Sequence, residues 1–168
     1  MELGKEAPNF TLNAFDGKKH SLADYRGKLT IINFWSAECP HAARVDVGLA
    51  PLLEAWGGDV QLLQIASNGN EPLSILREVS AERNSPGIIL HDPKSEVADL
   101  YAATNTPHIF IVDADGKLQY HGAYDDVTFR QRTPTRNYVR DVVESLLNGS
   151  KPDVTSVPPF GCTIVRMD

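Results

Sequence analysis

The chain has 168 residues, 42% of them apolar and 23% charged, and a net charge of −6. That is enough for one domain with a sizeable core, and the acidic balance argues against a general binder of nucleic acid or anionic membrane. No apolar stretch is long enough to cross a bilayer, and residues 1–6 carry no signal-peptide core, so the cytoplasm is the expected location.

Residues 10–12 and 19–22 flank Asp16-Gly17, a hairpin signal. Residues 21–25 suit a short helical turn before Gly27, and 28–34 form an apolar strand. Ala43, Val45, Leu49, Leu52, Leu53 and Trp56 have helical spacing, which predicts a helix over 40–56 that stops at Gly57-Gly58. Pro51 is expected to kink or break it. A second buried-type strand follows over 60–66, then a helix over 71–83 with Pro72 in its first turn. A short strand (87–90) and a short helix (95–103) lead to two strands, 108–112 and 117–121, around Asp115-Gly116, a strong hairpin signal. A last helix is predicted over 135–147. The segment 151–168 is an irregular tail, because Pro152, Pro158, Pro159 and Gly161 exclude regular helix, although Thr163-Ile164-Val165 has strand character. Strands alternating with helices give an α/β fold with parallel pairs, and the closing hairpin makes the sheet mixed. The expected organisation is one domain over 1–150, with a tail over 151–168 that carries Cys162.

Two cysteines do not make a disulfide scaffold. Cys39 follows the apolar strand and precedes Pro40, which suits a first helical position because its missing N–H is lost without penalty there. Cys39 therefore sits at a helix N-terminus, where free N–H groups and the helix dipole favour a thiolate, the reactive form of the side chain. The alternative is a buried structural cysteine. His41 is placed to stabilise that thiolate as imidazolium or to shuttle its proton; the carboxylate of Glu38 opposes ionisation.

Three blocks carry a resemblance to the thioredoxin superfamily, in its peroxiredoxin-like branch: Gly4-Lys5-Glu6-Ala7-Pro8-Asn9-Phe10-Thr11-Leu12 with Asp16-Gly17 and Ser21 to Lys28; Phe34-Trp35-Ser36-Ala37-Glu38-Cys39-Pro40-His41; and Asn105-Thr106-Pro107-His108-Ile109-Phe110 running to Lys117. The tail Gly161-Cys162-Thr163-Ile164-Val165 is similar to that of a peroxiredoxin-like subgroup. The resemblance implies a thioredoxin-like three-layer fold with a mixed central sheet, an N-terminal hairpin extension and an irregular C-terminal tail. It also implies a cis peptide at Pro107 facing the active cysteine. The chain departs from both better-known active-site patterns. Ala42 stands where thioredoxins carry a second cysteine, and Ile32 where peroxidatic sites carry a proline. Arg130 and Arg132 are the candidates for that family's downstream arginine.

The implied activity is a thiol-dependent oxidoreductase, an antioxidant-type enzyme in which Cys39 attacks a hydroperoxide or a disulfide. Ser36 is expected to donate a hydrogen bond at the reacting centre. Cys162 is the candidate resolving thiol, since Ala42 leaves no nearer one. Trp35, Pro40, Thr106 and Pro107 are the expected substrate-binding residues, with the Thr106 backbone presented to an extended substrate by strand addition. The expected partners are the peroxide or disulfide and an external thiol reductant, either thioredoxin-like or of low molecular weight. A homodimer linked through Cys162 stays open. No metal, cofactor, nucleic acid or membrane is expected; the five histidines lack ligand spacing. Two other activities compete: a disulfide reductase or isomerase of cytochrome-maturation type without peroxidase activity, and a non-catalytic interaction module of the same fold.

Overall fold

A computed structural model describes residues 1–167. The fully buried run Leu29–Trp35 forms β3, the centre of an eight-stranded sheet. It pairs parallel with β4 (Val60–Ala66) and antiparallel with β7 (Ile109–Val112). A strand covered on both faces reads as a continuous apolar run. β4 pairs parallel with β5 (Ile88–His91), and the N-terminal hairpin of β1 (Thr11–Ala14) and β2 (Lys19–Ser21) adds antiparallel to β5. On the other edge β8 (Leu118–Gly122) pairs with β7 and, in parallel, with β9 (Ser156–Val157) of the tail. The mixed, hairpin-extended α/β sheet expected from the sequence is present.

Alternation along β3 sends Ile31 and Trp35 to one face, Ile32 and Phe34 to the other. Against the first face pack α1 (Pro40–Trp56), through Ala42, Val45 and Leu49, and α4 (Tyr138–Leu147), through Val139, Val142 and Val143. Burying a side chain such as Leu49 contributes about 1.5–3 kcal/mol. Leu76 of α2 (Leu73–Arg83) joins Trp35 and Ala42 on the same side. Against the second face lie α3 (Glu96–Leu100) and the 3-10 turn Leu22–Tyr25, with Phe10, Tyr101 and Phe110 in edge-on aromatic contact.

The structure corrects several expected boundaries. α1 runs through Pro51 unbroken; the hydrogen bond that Pro51 cannot donate falls at the carbonyl of Val47, a residue 75% exposed. α2 starts at Leu73, with Pro72 as its cap and Glu71 outside it, turned inward. α3 spans five residues and is followed by Ala102 in the left-handed region at φ 53°. α4 starts three residues late because Asp126 takes the backbone N–H groups of Thr135 and Arg136. The helix is then capped by the Asn137 side chain, which accepts from the Arg140 N–H at 2.9 Å. Two short strands were not foreseen: β9, and β6 (Asn105–Thr106), which pairs antiparallel with β10 (Cys162–Thr163) away from the main sheet.

Candidate active site

β3 ends at Trp35, and its extension carries Cys39 to the N-cap of α1 with extended backbone (φ −89°, ψ 119°) and Pro40 at the first helical position. The Cys39 carbonyl accepts from the Ala43 N–H at 3.2 Å, the first bond of the helix. The side chain is 2% exposed, and its Sγ donates to the Thr106 carbonyl at 3.2 Å. Thr106–Pro107 is cis. Cys162 lies opposite Thr106 in the β6–β10 pair and packs against the cluster that contains Cys39. Both cysteines are free.

The two thiols are unequal. Burial pushes the Cys39 thiol up, but the Cys162 thiol, the Thr106 hydroxyl and the backbone N–H groups of Ala42 and Cys162 outweigh it, so the net shift is downward. The Thr106 hydroxyl is buried with no hydrogen-bond partner among the described residues. Cys162 is pushed up to about 12, first by burial, then by its bond to Cys39 and by the charges of Cys39 and Glu71. One thiol is thus prepared to ionise and its neighbour to stay protonated.

The loop before Cys39 is held by side chains the sequence analysis did not single out. Glu71, 4% exposed, accepts from the Ser36 hydroxyl (2.5 Å), the Ala37 N–H (2.7 Å) and Asn68 Nδ2 (2.8 Å). Arg83 donates to the Ser36 carbonyl at 2.9 Å and to that of Ala37, and its guanidinium lies 5.5 Å over the Trp35 ring. Asp46, buried on α1, accepts from Trp35 Nε1 (2.9 Å), Gln64 Nε2 (2.7 Å) and the Ser85 hydroxyl. In the sequence Glu71 follows the turn Asn68-Gly69-Asn70 and looks like an ordinary helix-start acid; only its burial marks it.

Four expected site residues need correction in place or orientation. Trp35 is fully buried and supports the cysteine loop from behind, so it does not line a substrate surface. The Ser36 hydroxyl points to Glu71. The His41 ring packs edge-on against Phe160, centroids 4.9 Å apart. The Thr106 edge offered to an incoming strand is taken by the tail. Pro40 is exposed beside Cys39, and Pro107 is buried directly after Thr106, whose carbonyl accepts from Cys39. Arg130 and Arg132 are exposed in the loop before α4.

A mixed sheet with helices on both faces, and a cysteine at a helix N-terminus facing a strand that ends in a cis-proline, define a thiol-dependent oxidoreductase of thioredoxin-like fold. The AhpC/TSA family model matches residues 3–121, and the chain belongs to that family. Among curated relatives, the thiol-disulfide oxidoreductase ResA of Geobacillus thermodenitrificans is 28% identical over 122 residues, 71% of this chain and 68% of that protein. The thioredoxin-like protein YneN of Bacillus subtilis is 29% identical, over 71% of this chain and 70% of its own. An uncharacterised conserved protein of Geobacillus kaustophilus superposes with a TM-score of 0.88 at 30% identity, over 99% of this chain and 93% of the other. The thioredoxin domain of a Bacteroides vulgatus thiol-disulfide oxidoreductase (TM-score 0.70, 21% identity, 88% and 99% covered) shares the fold.

Proposed function

We propose that Cys39 is the nucleophile and Cys162 its resolving partner within one chain, in an antioxidant-type cycle that reduces a small oxidant. The single observation that carries this reading is the pairing of Cys162 with Thr106, which brings the second thiol to the first although 122 residues separate them in sequence. With a hydroperoxide, the Cys39 thiolate attacks the terminal oxygen. The O–O bond breaks, an alcohol leaves once protonated, and Cys39 becomes a sulfenic acid. The Cys162 sulfur then attacks Cys39, releasing water and leaving a disulfide. Two electrons from an external thiol reductant restore both thiols, and a thiol-rich cytoplasm is the setting in which that reductant is at hand.

A second reading, disulfide reduction, is favoured by the names of the ResA relatives. Mass spectrometry after one equivalent of hydroperoxide separates the two. We expect the chain to lose two hydrogens and join the peptides of Cys39 and Cys162, Cys162→Ser to carry a trappable sulfenic acid on Cys39, and Cys39→Ser to be inert. A Cys39 that reacts no faster than free cysteine with peroxide, yet exchanges rapidly with disulfides, would transfer the assignment to the second reading.

A further inference from the structure

We propose that the tail, seated as β10, holds the edge at which an extended substrate would add, and thereby matches Cys39 to low-molecular-weight oxidants instead of cysteines within extended protein segments. This rests on Cys39 as the nucleophile and names the substrate class of that site.

Several independent anchors seat the tail. Cys162 and Thr163 pair with Thr106 and Asn105, and the Ile164 N–H reaches the Thr104 carbonyl at 3.0 Å. The Ile164 side chain is 3% exposed within the main core. Val165 is zipped to the loop after β4, its N–H on Asn68 Oδ1 (2.7 Å) and its carbonyl accepting from the Gly69 N–H (2.9 Å). Arg166 donates to Asp99 and to the Ala103 carbonyl. An incoming strand would have to undo these together, because it needs the same backbone groups of residues 104–106. The approach is also close. A Cβ at Gly161 would lie 2.1 Å from the Thr106 carbonyl oxygen, so only glycine seats in this register ahead of the cysteine. Cys39 is 2% exposed with the tail seated, so no second backbone lies beside it without displacing the tail.

For a small disulfide the step balances as follows. The Cys39 thiolate attacks one sulfur, the S–S bond breaks, and the first thiolate leaves and takes a proton from water. The Cys162 sulfur, losing its proton to water, attacks Cys39 and expels the second thiolate. The substrate gains two electrons and two protons, and the chain becomes a Cys39–Cys162 disulfide.

The test uses the full chain with Cys162→Ser, which leaves Cys39 as its single thiol, and two mixed disulfides that both release thionitrobenzoate. One carries cysteamine, the other an extended peptide with a central cysteine. Rates are expressed relative to those of free N-acetylcysteine with the same probes. With the tail seated, preference for the small probe should exceed that of the free thiol by about tenfold or more, the edge for strand addition being occupied. Adding Gly161→Val, or separately Ile164→Asp, should raise the peptide rate and collapse the preference to that of the free thiol. Equal preference in the seated chain, or a preference unmoved by either variant, overturns the proposal while leaving the nucleophile in place. If neither probe reacts faster than with N-acetylcysteine, the assignment of Cys39 falls and the proposal with it. Should both variants unfold, hydrogen exchange on the unaltered chain decides: protected Ile164 and Gly69 amides support a seated tail, and exchange at unprotected rates overturns it.

Discussion

Cys162 stands directly across from Thr106 in an antiparallel pair, and the carbonyl of that threonine is the hydrogen-bond acceptor of Cys39. One backbone position therefore organises both thiols. It holds Cys39 through its carbonyl and Cys162 through the strand register.

The first consequence is a Cys39 thiol more acidic than an ordinary cysteine. Alkylation of Cys39 in the Cys162→Ser chain, followed against pH, should show a midpoint below the ordinary cysteine value of about 8.5. Because folding lowers this pKa, Cys39 ionisation contributes stability that is fully present above the unfolded value and lost as pH falls through the folded one. Cys162→Ala, which removes the foremost stabilising group, should move the midpoint upward. Thr106→Val, which keeps the shape and deletes the hydroxyl, should do the same to a lesser degree.

His41→Ala should leave that midpoint unchanged, since the ring packs on Phe160. An upward shift on removing the imidazole would show that it faces the thiolate in solution.

Oxidation should yield a faster-migrating monomer on a non-reducing gel, because the two cysteines meet within one chain. Closing so long a loop stabilises the oxidised form by up to roughly 4–5 kcal/mol in the chain-entropy account. Urea denaturation of oxidised against reduced chain measures the difference. A disulfide-linked dimer band would instead place Cys162 on a neighbouring copy.

Glu71 supports the cysteine loop with three accepted hydrogen bonds. Glu71→Ala strands buried donors at about 1–3 kcal/mol each, and Glu71→Gln, which keeps an acceptor, should lose less in urea denaturation. The substitution to glutamine also removes a charge that raises Cys162, so the Cys162 pKa should fall. A purely structural role for Glu71 would leave that titration where it was.

Much of this molecule was legible in its sequence because the signals were local. The all-apolar run ending in Trp35 identified a strand covered on both faces, Asp16-Gly17 and Asp115-Gly116 marked two hairpins, and Cys39-Pro40 announced a helix start with a cysteine at its cap. Each follows from the conformational preferences of a few adjacent residues. What the sequence could not supply is which side chains meet across the fold. Glu71 looked like a helix-start acid until the chain buried it under Ser36. Trp35 and Ser36, expected at the substrate, are turned to Asp46 and Glu71 because their positions on and just past β3 send them inward. The tail gave no more than a weak strand signal at Thr163-Ile164-Val165. Its path along β8, across Thr106 and down to Asn68 and Asp99 is set by backbone groups and one buried isoleucine, Ile164. Local chemistry singled out Cys39. Tertiary packing alone decided what faces it, because a contact between residues 39 and 162 depends on closing the whole sheet between them.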